Sequence, residues 1–164
     1  MHHPPQGVSY DVVLLLHVGC VVVALAAVTT SAATAARVRK VLVAKAILPD
    51  SVVRYFRPGV NWAGRTVFGI PVFGFALLAM SRGAFALRDG WILGGFAIFV
   101  AAALLTEGAL WPAERRLQRS LLPYREGGAT AAPDVSRDAR VMELSAGATL
   151  VLLVAGSVLM VAQP

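Results

Sequence analysis

The chain of 164 residues is 57% hydrophobic and only 15% charged, and it carries a net charge of +6. This composition argues against a soluble domain with one membrane anchor and favours a single membrane domain over residues 1–164. The basic residues flank apolar segments instead of forming a separate basic module, so we expect no nucleic-acid partner. The single cysteine, Cys20, excludes an intrachain disulfide and a cysteine-ligated metal cluster.

Four long apolar segments predict four membrane-spanning helices. Their approximate bounds are residues 11–36, 60–81, 90–111 and 141–162. Each is close to the roughly 20 residues that an α-helix needs to cross a hydrocarbon core of about 30 Å. The expected fold is therefore all-α, a polytopic membrane protein built as a four-transmembrane-helix bundle.

The first span carries small residues at every fourth position, namely Ala27, Ser31 and Ala35. Small side chains let a neighbouring backbone approach closely, which favours helix packing inside a membrane. The neighbour is either another helix of the same chain or a second copy of the chain. The helix is predicted to begin near residues 9–11, and its continuation beyond Ala36 into the basic segment is compatible with the pattern.

The segment between Lys45 and Gly59 mixes apolar, aromatic and basic side chains. This mixture predicts a short interfacial helix between the first two spans, capped by Asp50 or Ser51 and lying on the inner leaflet. A surface that docks a partner protein is the alternative, because lipid contact and protein contact favour the same composition.

The second and third spans contain residues that disturb helices. Pro71 predicts a kink in the second span, and Gly69 and Gly74 predict close helix contacts on either side of it. The third span is predicted to end at Trp111 and Pro112, an interfacial aromatic residue followed by a helix breaker. Beyond it we expect a short polar extension and then a flexible loop, at residues 113–118 and 124–138.

The distribution of the 15 Lys and Arg residues predicts the orientation. Seven lie in residues 37–65 and six in residues 115–140, whereas the remaining connection holds only two. Because positively charged loops stay on the cytoplasmic side, loops 37–59 and 112–140 are expected inside and both termini outside. We expect the protein in a bacterial plasma membrane, with the anionic headgroups of the inner leaflet as one partner.

A histidine and a cysteine share one face of the first helix. Cys20 follows His17 at i+3, and both side chains are ligands for soft or borderline metals. Met80 and Met160 are predicted at a similar depth, so a Cu(I) site built from these four residues is one hypothesis. The alternative is structural: the histidine hydrogen-bonds a neighbouring helix, while the cysteine and the methionines fill space.

Two charged residues are predicted to meet near the cytoplasmic ends of their spans. Arg65 lies near the start of the second span and Glu107 near the end of the third, so the two side chains are expected to pair. Asn61 and Glu143 are predicted to complete a buried polar cluster with them. Intramembrane charges are costly, so this cluster is a candidate for a proton relay or for binding a quinone headgroup, with Glu107 as its leading residue. Structural pairing near the interface is the alternative.

A pattern over most of the chain resembles a known family. It combines Leu14–Gly19, which reads Leu-Leu-Leu-His-Val-Gly, with a basic loop, a second span rich in Gly and Phe, and a third span ending in Trp-Pro-x-x-Arg-Arg-Leu. The pattern resembles uncharacterised bacterial integral membrane proteins of four-helix type. That family is similar to the copper-resistance protein D membrane domain and, more remotely, to the four-helix protoporphyrinogen oxidases. The resemblance implies that His17 is the position that binds a metal or haem.

Two functional hypotheses follow from the sequence. It contains no complete catalytic or phosphate-binding motif, which favours a non-catalytic helical accessory subunit or scaffold that packs against other membrane protein subunits. The alternative is a redox protein that handles copper or haem through His17.

Overall fold

A computed structural model describes residues 7–44, 48–125 and 135–162. These residues form helices joined by turns, and no β-strand occurs among them. Four helical segments are long and apolar enough to cross a membrane, and they cover Val8–Val43, Trp62–Met80, Gly90–Pro123 and Ser136–Ala162. The predicted all-α, multi-pass class is confirmed.

Seven α-helices follow one another along the described residues. They are α1 (Val8–Val43), α2 (Asp50–Tyr55), α3 (Trp62–Arg65), α4 (Gly69–Met80), α5 (Gly90–Leu105), α6 (Trp111–Arg125) and α7 (Ser136–Ala162). A 3-10 turn at Thr66–Phe68 lies between α3 and α4, and a π-helical turn at Thr106–Leu110 lies between α5 and α6.

The first connection contains the predicted short helix, α2. Its predicted cap is wrong, because Pro49 is the N-cap and makes no side-chain hydrogen bond, while Asp50 is the first helical residue. A carboxylate in the first turn still stabilises the positive end of the helix dipole. α1 ends at Val43, so the first helix does continue beyond Ala36. The position of α2 at the inner leaflet stays a prediction.

The second span is irregular around Pro71. The Asn61 side chain caps α3, since its Oδ1 accepts a hydrogen bond of 3.1 Å from the Gly64 N–H. Pro71 has no N–H to offer the Val67 carbonyl four residues earlier, and its ring would crowd that carbonyl in a regular helix. Val67 instead lies within the 3-10 turn, so the predicted disturbance takes the form of a tightened turn.

The helix of the third span does not break at Pro112, and this prediction is wrong. The helix continues as α6 to Arg125, after a π-helical turn in which the Trp111 N–H bonds the Thr106 carbonyl five residues earlier. The wider turn accommodates the proline ring, so the helix is distorted instead of broken. The predicted polar extension is therefore longer than expected. Its apolar side, with Leu117 and Leu121, is buried.

Only part of the predicted flexible loop, residues 124–138, falls within the described residues. Residues 126–134 lie outside the described residues. α7 begins at Ser136, earlier than the predicted span start at residue 141, because its first turn is polar and gave no hydropathy signal.

The contacts divide the chain, predicted as one membrane domain, into two compact units. The first unit comprises Met1–Ala27, Asn61–Ala103 and Val151–Pro164. The second unit comprises Val28–Val60 and Leu104–Leu150.

Glycines bring α5 and α7 close together in the first unit. A Cβ atom on Gly94 would lie 3.0 Å from Leu159 Cδ2, and one on Gly95 would overlap the Met160 methyl group. Side chains at these positions would push the helices apart. This is the close helix packing by small residues that membrane proteins use.

Hydrogen bonds and ion pairs join the helices of the second unit. The Ser31 and Tyr55 hydroxyls are 2.7 Å apart, which joins α1 to α2. Ser31 and Ala35 are both buried. The sequence left open whether such small residues pack within the chain or against a second copy. For Ser31 and Ala35, packing within the chain is confirmed.

Candidate ligand-binding cavity in the first unit

The approach of α1 to α4 shapes the candidate site. A Cβ atom on Gly69 would lie 2.6 Å from Cys20 Sγ, and one on Gly74 would lie 3.4 Å from His17 Cε1. The two glycines thus admit two side chains of α1, as predicted for close contacts on either side of Pro71. Because His17 faces the later glycine and Cys20 the earlier one, the two helices run antiparallel.

His17 is fixed by a hydrogen bond to α4. Its Nδ1 lies 2.9 Å from the Ile70 carbonyl oxygen. A carbonyl oxygen can only accept, so Nδ1 carries the hydrogen and donates it. In the neutral ring Nε2 then holds a lone pair. Nε2 makes no hydrogen bond with any described residue, and the His17 side chain is half-buried.

A cavity of about 330 Å³ opens beside His17. Its lining is almost entirely apolar, and the polar side chains among the lining residues are Tyr10, His17 and Trp91. Six of the 13 aromatic residues of the chain line it: Tyr10, Phe75, Phe85, Trp91, Phe96 and Phe99. Such a concentration of aromatic rings in one pocket favours a ligand that is itself a ring.

Two aromatic pairs form the walls of this cavity. Phe85 and Trp91 pack edge to face with ring centroids 5.5 Å apart, and Phe75 and Phe96 are tilted with centroids 5.8 Å apart. Both arrangements fall within the range that favours aromatic rings.

The turn between α4 and α5 positions the first of these pairs. The Phe85 N–H donates to the Ser81 hydroxyl at 3.4 Å. The Asp89 carboxylate accepts a hydrogen bond of 2.8 Å from the Ala86 N–H. Gly83 has a positive φ of 84°, a conformation that glycine adopts without strain, and it lets the turn reverse direction. These bonds hold Phe85 in the lining of the cavity.

The four predicted metal ligands do not come together. His17 and Met160 line the cavity, whereas Cys20 and Met80 do not. Cys20 lies against Gly69 at one end of α4, and Met80 is at the other end, about 16 Å away along the helix. That distance is too large for the two sulfur atoms to bind one ion, so the predicted four-residue Cu(I) site is wrong. Cys20 instead fills space against a glycine.

The described residues cannot supply two histidines to a haem iron. His17 is the single histidine among them, since His2 and His3 lie outside the described residues. No group of three His, Cys, Asp or Glu side chains that could hold a metal ion occurs within the described ranges. Of the four predicted metal ligands, the cavity thus offers His17 and Met160.

The predicted polar cluster does not form within either unit. Asn61 and Arg65 belong to the first unit and are half-buried, and Asn61 serves as the cap of α3. Glu107 and Glu143 belong to the second unit. Glu107 is exposed on the π-helical turn, so its predicted burial is wrong. The pairing of Arg65 with Glu107 joins residues of different units and stays a prediction.

Glu143 has a partner that the sequence reasoning missed. Its carboxylate forms an ion pair with Arg39 of α1, within the second unit. Arg116 of α6 and Asp138 of α7 form a second pair at 2.7 Å. The partners of Glu143 and Arg39 lie 104 residues apart, so no local pattern identifies them. Opposite charges near the ends of predicted helices were the one available signal.

We expect Arg39 and Glu143 to be coupled in stability. Their side chains are 42% and 30% exposed, so solvent weakens the attraction and the coupling free energy should be about 0.5–1 kcal/mol. The measurement is a double-mutant cycle of Arg39→Gln and Glu143→Gln, read as detergent unfolding. Arg37→Gln combined with Glu143→Gln is the matched control, because Arg37 is an exposed neighbour. Additive effects of Arg39→Gln and Glu143→Gln would contradict the pairing.

Comparison with protein-family models, with curated proteins and with solved structures found no match to this chain. The resemblance stated from the sequence therefore stays a prediction.

Proposed function

We propose that this multi-pass membrane protein binds a ring-sized lipophilic molecule in the cavity beside His17. The observation that carries the proposal is an apolar, aromatic-walled cavity of about 330 Å³ that is lined by His17, whose Nδ1 is held by the Ile70 carbonyl. Small-molecule sites are typically apolar, 300–1,000 Å³ in size, and contain a few polar groups that fix orientation.

Close helix contacts shape the cavity, which is open to its surroundings on one side. Here the glycines at 69 and 74 and at 94 and 95 bring helices together, while the aromatic side chains hold a space open beside them.

Two lining residues, Tyr10 and Trp91, suggest how a ligand enters. Tyr10 lies in the first turn of α1 and Trp91 in the first turn of α5. Tyr and Trp are typical of the membrane–water interface. His17 lies seven residues beyond Tyr10, about 10 Å along the helix. A ligand would therefore enter at the interface and place its polar group deeper, at His17.

A binding role agrees with the expected accessory subunit. A helical subunit that holds a lipophilic molecule needs no catalytic residues and would present it to a larger membrane assembly. Two small-residue positions, Ser31 and Ala35, are buried in the chain's own second unit and so give no support to a partner there. Stoichiometric recovery of another membrane protein with the purified chain supports the accessory role.

Copper or haem handling is the weaker candidate. Only His17 and Met160 of the four predicted ligands line the cavity, so the predicted four-residue copper site is not assembled there. Metal analysis and a visible spectrum of the purified protein decide this. A metal or haem signal that disappears in His17→Ala would favour it.

We propose a bacterial plasma membrane as the location, with both termini outside. The described basic residues of the second unit are mostly exposed, which suits contact with the anionic headgroups of the inner leaflet. We expect a periplasm-active reporter fused after Pro164 to be active and a cytoplasm-only reporter to be silent. The same reporters fused in the loop at residue 128 should give the reverse. An active cytoplasmic reporter at Pro164 would contradict the orientation.

Tryptophan fluorescence in nanodiscs tests the binding function. We expect a brominated 4-alkylphenol to quench the fluorescence saturably, because bromine quenches on contact and Trp91 lines the cavity. The unbrominated phenol should compete. Trp91→Phe should remove the saturable part, since Trp62 and Trp111 do not line the cavity. Linear quenching alone, equal in the wild type and in Trp91→Phe, would contradict the proposal.

A further inference from the structure

We infer that the ligand of this cavity is a lipophilic ring compound that presents a hydroxyl hydrogen to Nε2 of His17. The inference rests on the proposed function and specifies the chemistry of the same site. Reduced isoprenoid quinols and phenolic lipids share this chemistry, whereas oxidised quinones lack the hydroxyl hydrogen.

The Ile70 carbonyl decides what His17 can offer. It accepts the Nδ1 hydrogen at 2.9 Å, and α4 fixes its position. In the neutral ring the second nitrogen is therefore an acceptor, and a ligand must supply the hydrogen. Ester and quinone carbonyl oxygens only accept, so they cannot bond to this nitrogen.

The surroundings make an unmatched acceptor unfavourable. Apolar side chains line the space next to His17, including Ile70, Pro71 and Phe75. A polar group without a hydrogen bond in such surroundings raises the free energy of the complex. A ring compound without a hydroxyl group would leave Nε2 in this condition, while a phenol would satisfy it.

The other polar groups of the cavity do not require the ligand to donate a hydrogen. Trp91 offers an N–H donor and Tyr10 a hydroxyl that either donates or accepts. Both can bond to the oxygen of a phenol or of its methyl ether. A protein can therefore prefer the phenol to its methyl ether only through a group that accepts the phenol's hydrogen. The Tyr10 hydroxyl can also accept, so Tyr10 must be tested beside His17.

A matched ligand pair tests the inference. A 4-alkylphenol and its 4-alkylanisole have nearly the same shape, but the anisole has no hydroxyl hydrogen. We expect the wild-type protein in nanodiscs to bind the phenol about tenfold more tightly. His17→Ala should bind the two compounds equally. Tyr10→Phe removes the other hydroxyl of the cavity lining, and it is judged by the ratio of the two affinities, which should stay about tenfold.

The outcomes separate the inference from the proposed function. Equal binding of both compounds by the wild type would contradict the inference that the ligand donates a hydroxyl hydrogen. It would leave the proposed binding function in place. A preference that survives in His17→Ala would also overturn it, because another acceptor would be responsible. No saturable binding of either compound would overturn the proposed function itself. If His17→Ala does not fold, His17→Phe, which keeps a ring and removes both nitrogens, gives the same comparison.

Discussion

Gly69→Ala is expected to destabilise the protein by about 1–3 kcal/mol, the typical effect of overpacking a close helix contact. The new Cβ atom would lie 2.6 Å from Cys20 Sγ, well inside the distance at which these atoms pack. Either the sulfur atom must rotate away or α1 must move from α4. The measurement is the thermal or denaturant unfolding of the purified protein in detergent.

Two further variants identify the cause of this destabilisation. Gly19→Ala is the matched control, because it makes the same change on α1 where nothing lies within 4 Å of the added atom. It should leave stability unchanged or raise it slightly. Cys20→Ala combined with Gly69→Ala should recover most of the loss, since the clashing sulfur is then absent. Equal effects of Gly69→Ala and Gly19→Ala would contradict the close contact.

Leu78→Trp is expected to weaken ligand binding at least tenfold. Leu78 lines the cavity, so the larger indole ring would occupy the space of the ligand. A loss of this size corresponds to about 1.4 kcal/mol of binding free energy. The measurement is displacement of a radiolabelled 4-alkylphenol in nanodiscs, which does not depend on tryptophan fluorescence.

The matched control for this variant lies on the same helix. Val72 is 63% exposed on α4 and does not line the cavity. Val72→Trp adds an indole ring of the same size where it can point away from the protein, so binding should be preserved. If both variants bind the phenol normally, the cavity beside Leu78 is not where the ligand binds.

The helices were largely predictable because membrane spans have a strong signal. About 20 consecutive apolar residues are needed to cross the hydrocarbon core, and four such segments stand out in the sequence. The ends of the helices were harder to predict. α6 follows a π-helical turn that tolerates Pro112, and the first turn of α7 is polar, so neither continuation has a hydropathy signal.

The site was predictable at one residue and wrong at others. His17 was found because a histidine is rare in an apolar span, and its hydrogen bond to another helix agrees with the structural alternative. Cys20 and Met80 were grouped with it by estimated depth. That estimate of depth is wrong, because Cys20 of α1 packs against Gly69 at the start of α4, whereas Met80 lies at the other end of α4.

The aromatic walls of the cavity could not be predicted from the sequence. Their residues come from α1, α4, α5 and the turn before α5, and only their packing brings them together. In the sequence, aromatic residues inside a span are typical of both lipid contact and core packing. The pairs Phe85 with Trp91 and Phe75 with Phe96 become visible only in three dimensions.

Photolabelling tests the central claim, that a lipophilic ring compound binds beside His17, most directly. A 4-alkylphenol with a diazirine in its alkyl chain is irradiated with the protein in nanodiscs, and the labelled residues are identified by peptide mass spectrometry. We expect label on cavity residues such as Leu78 and Phe96, suppressed by excess unlabelled phenol. Label spread over outward-facing residues such as Leu15 and Val22, unaffected by competitor, would contradict it.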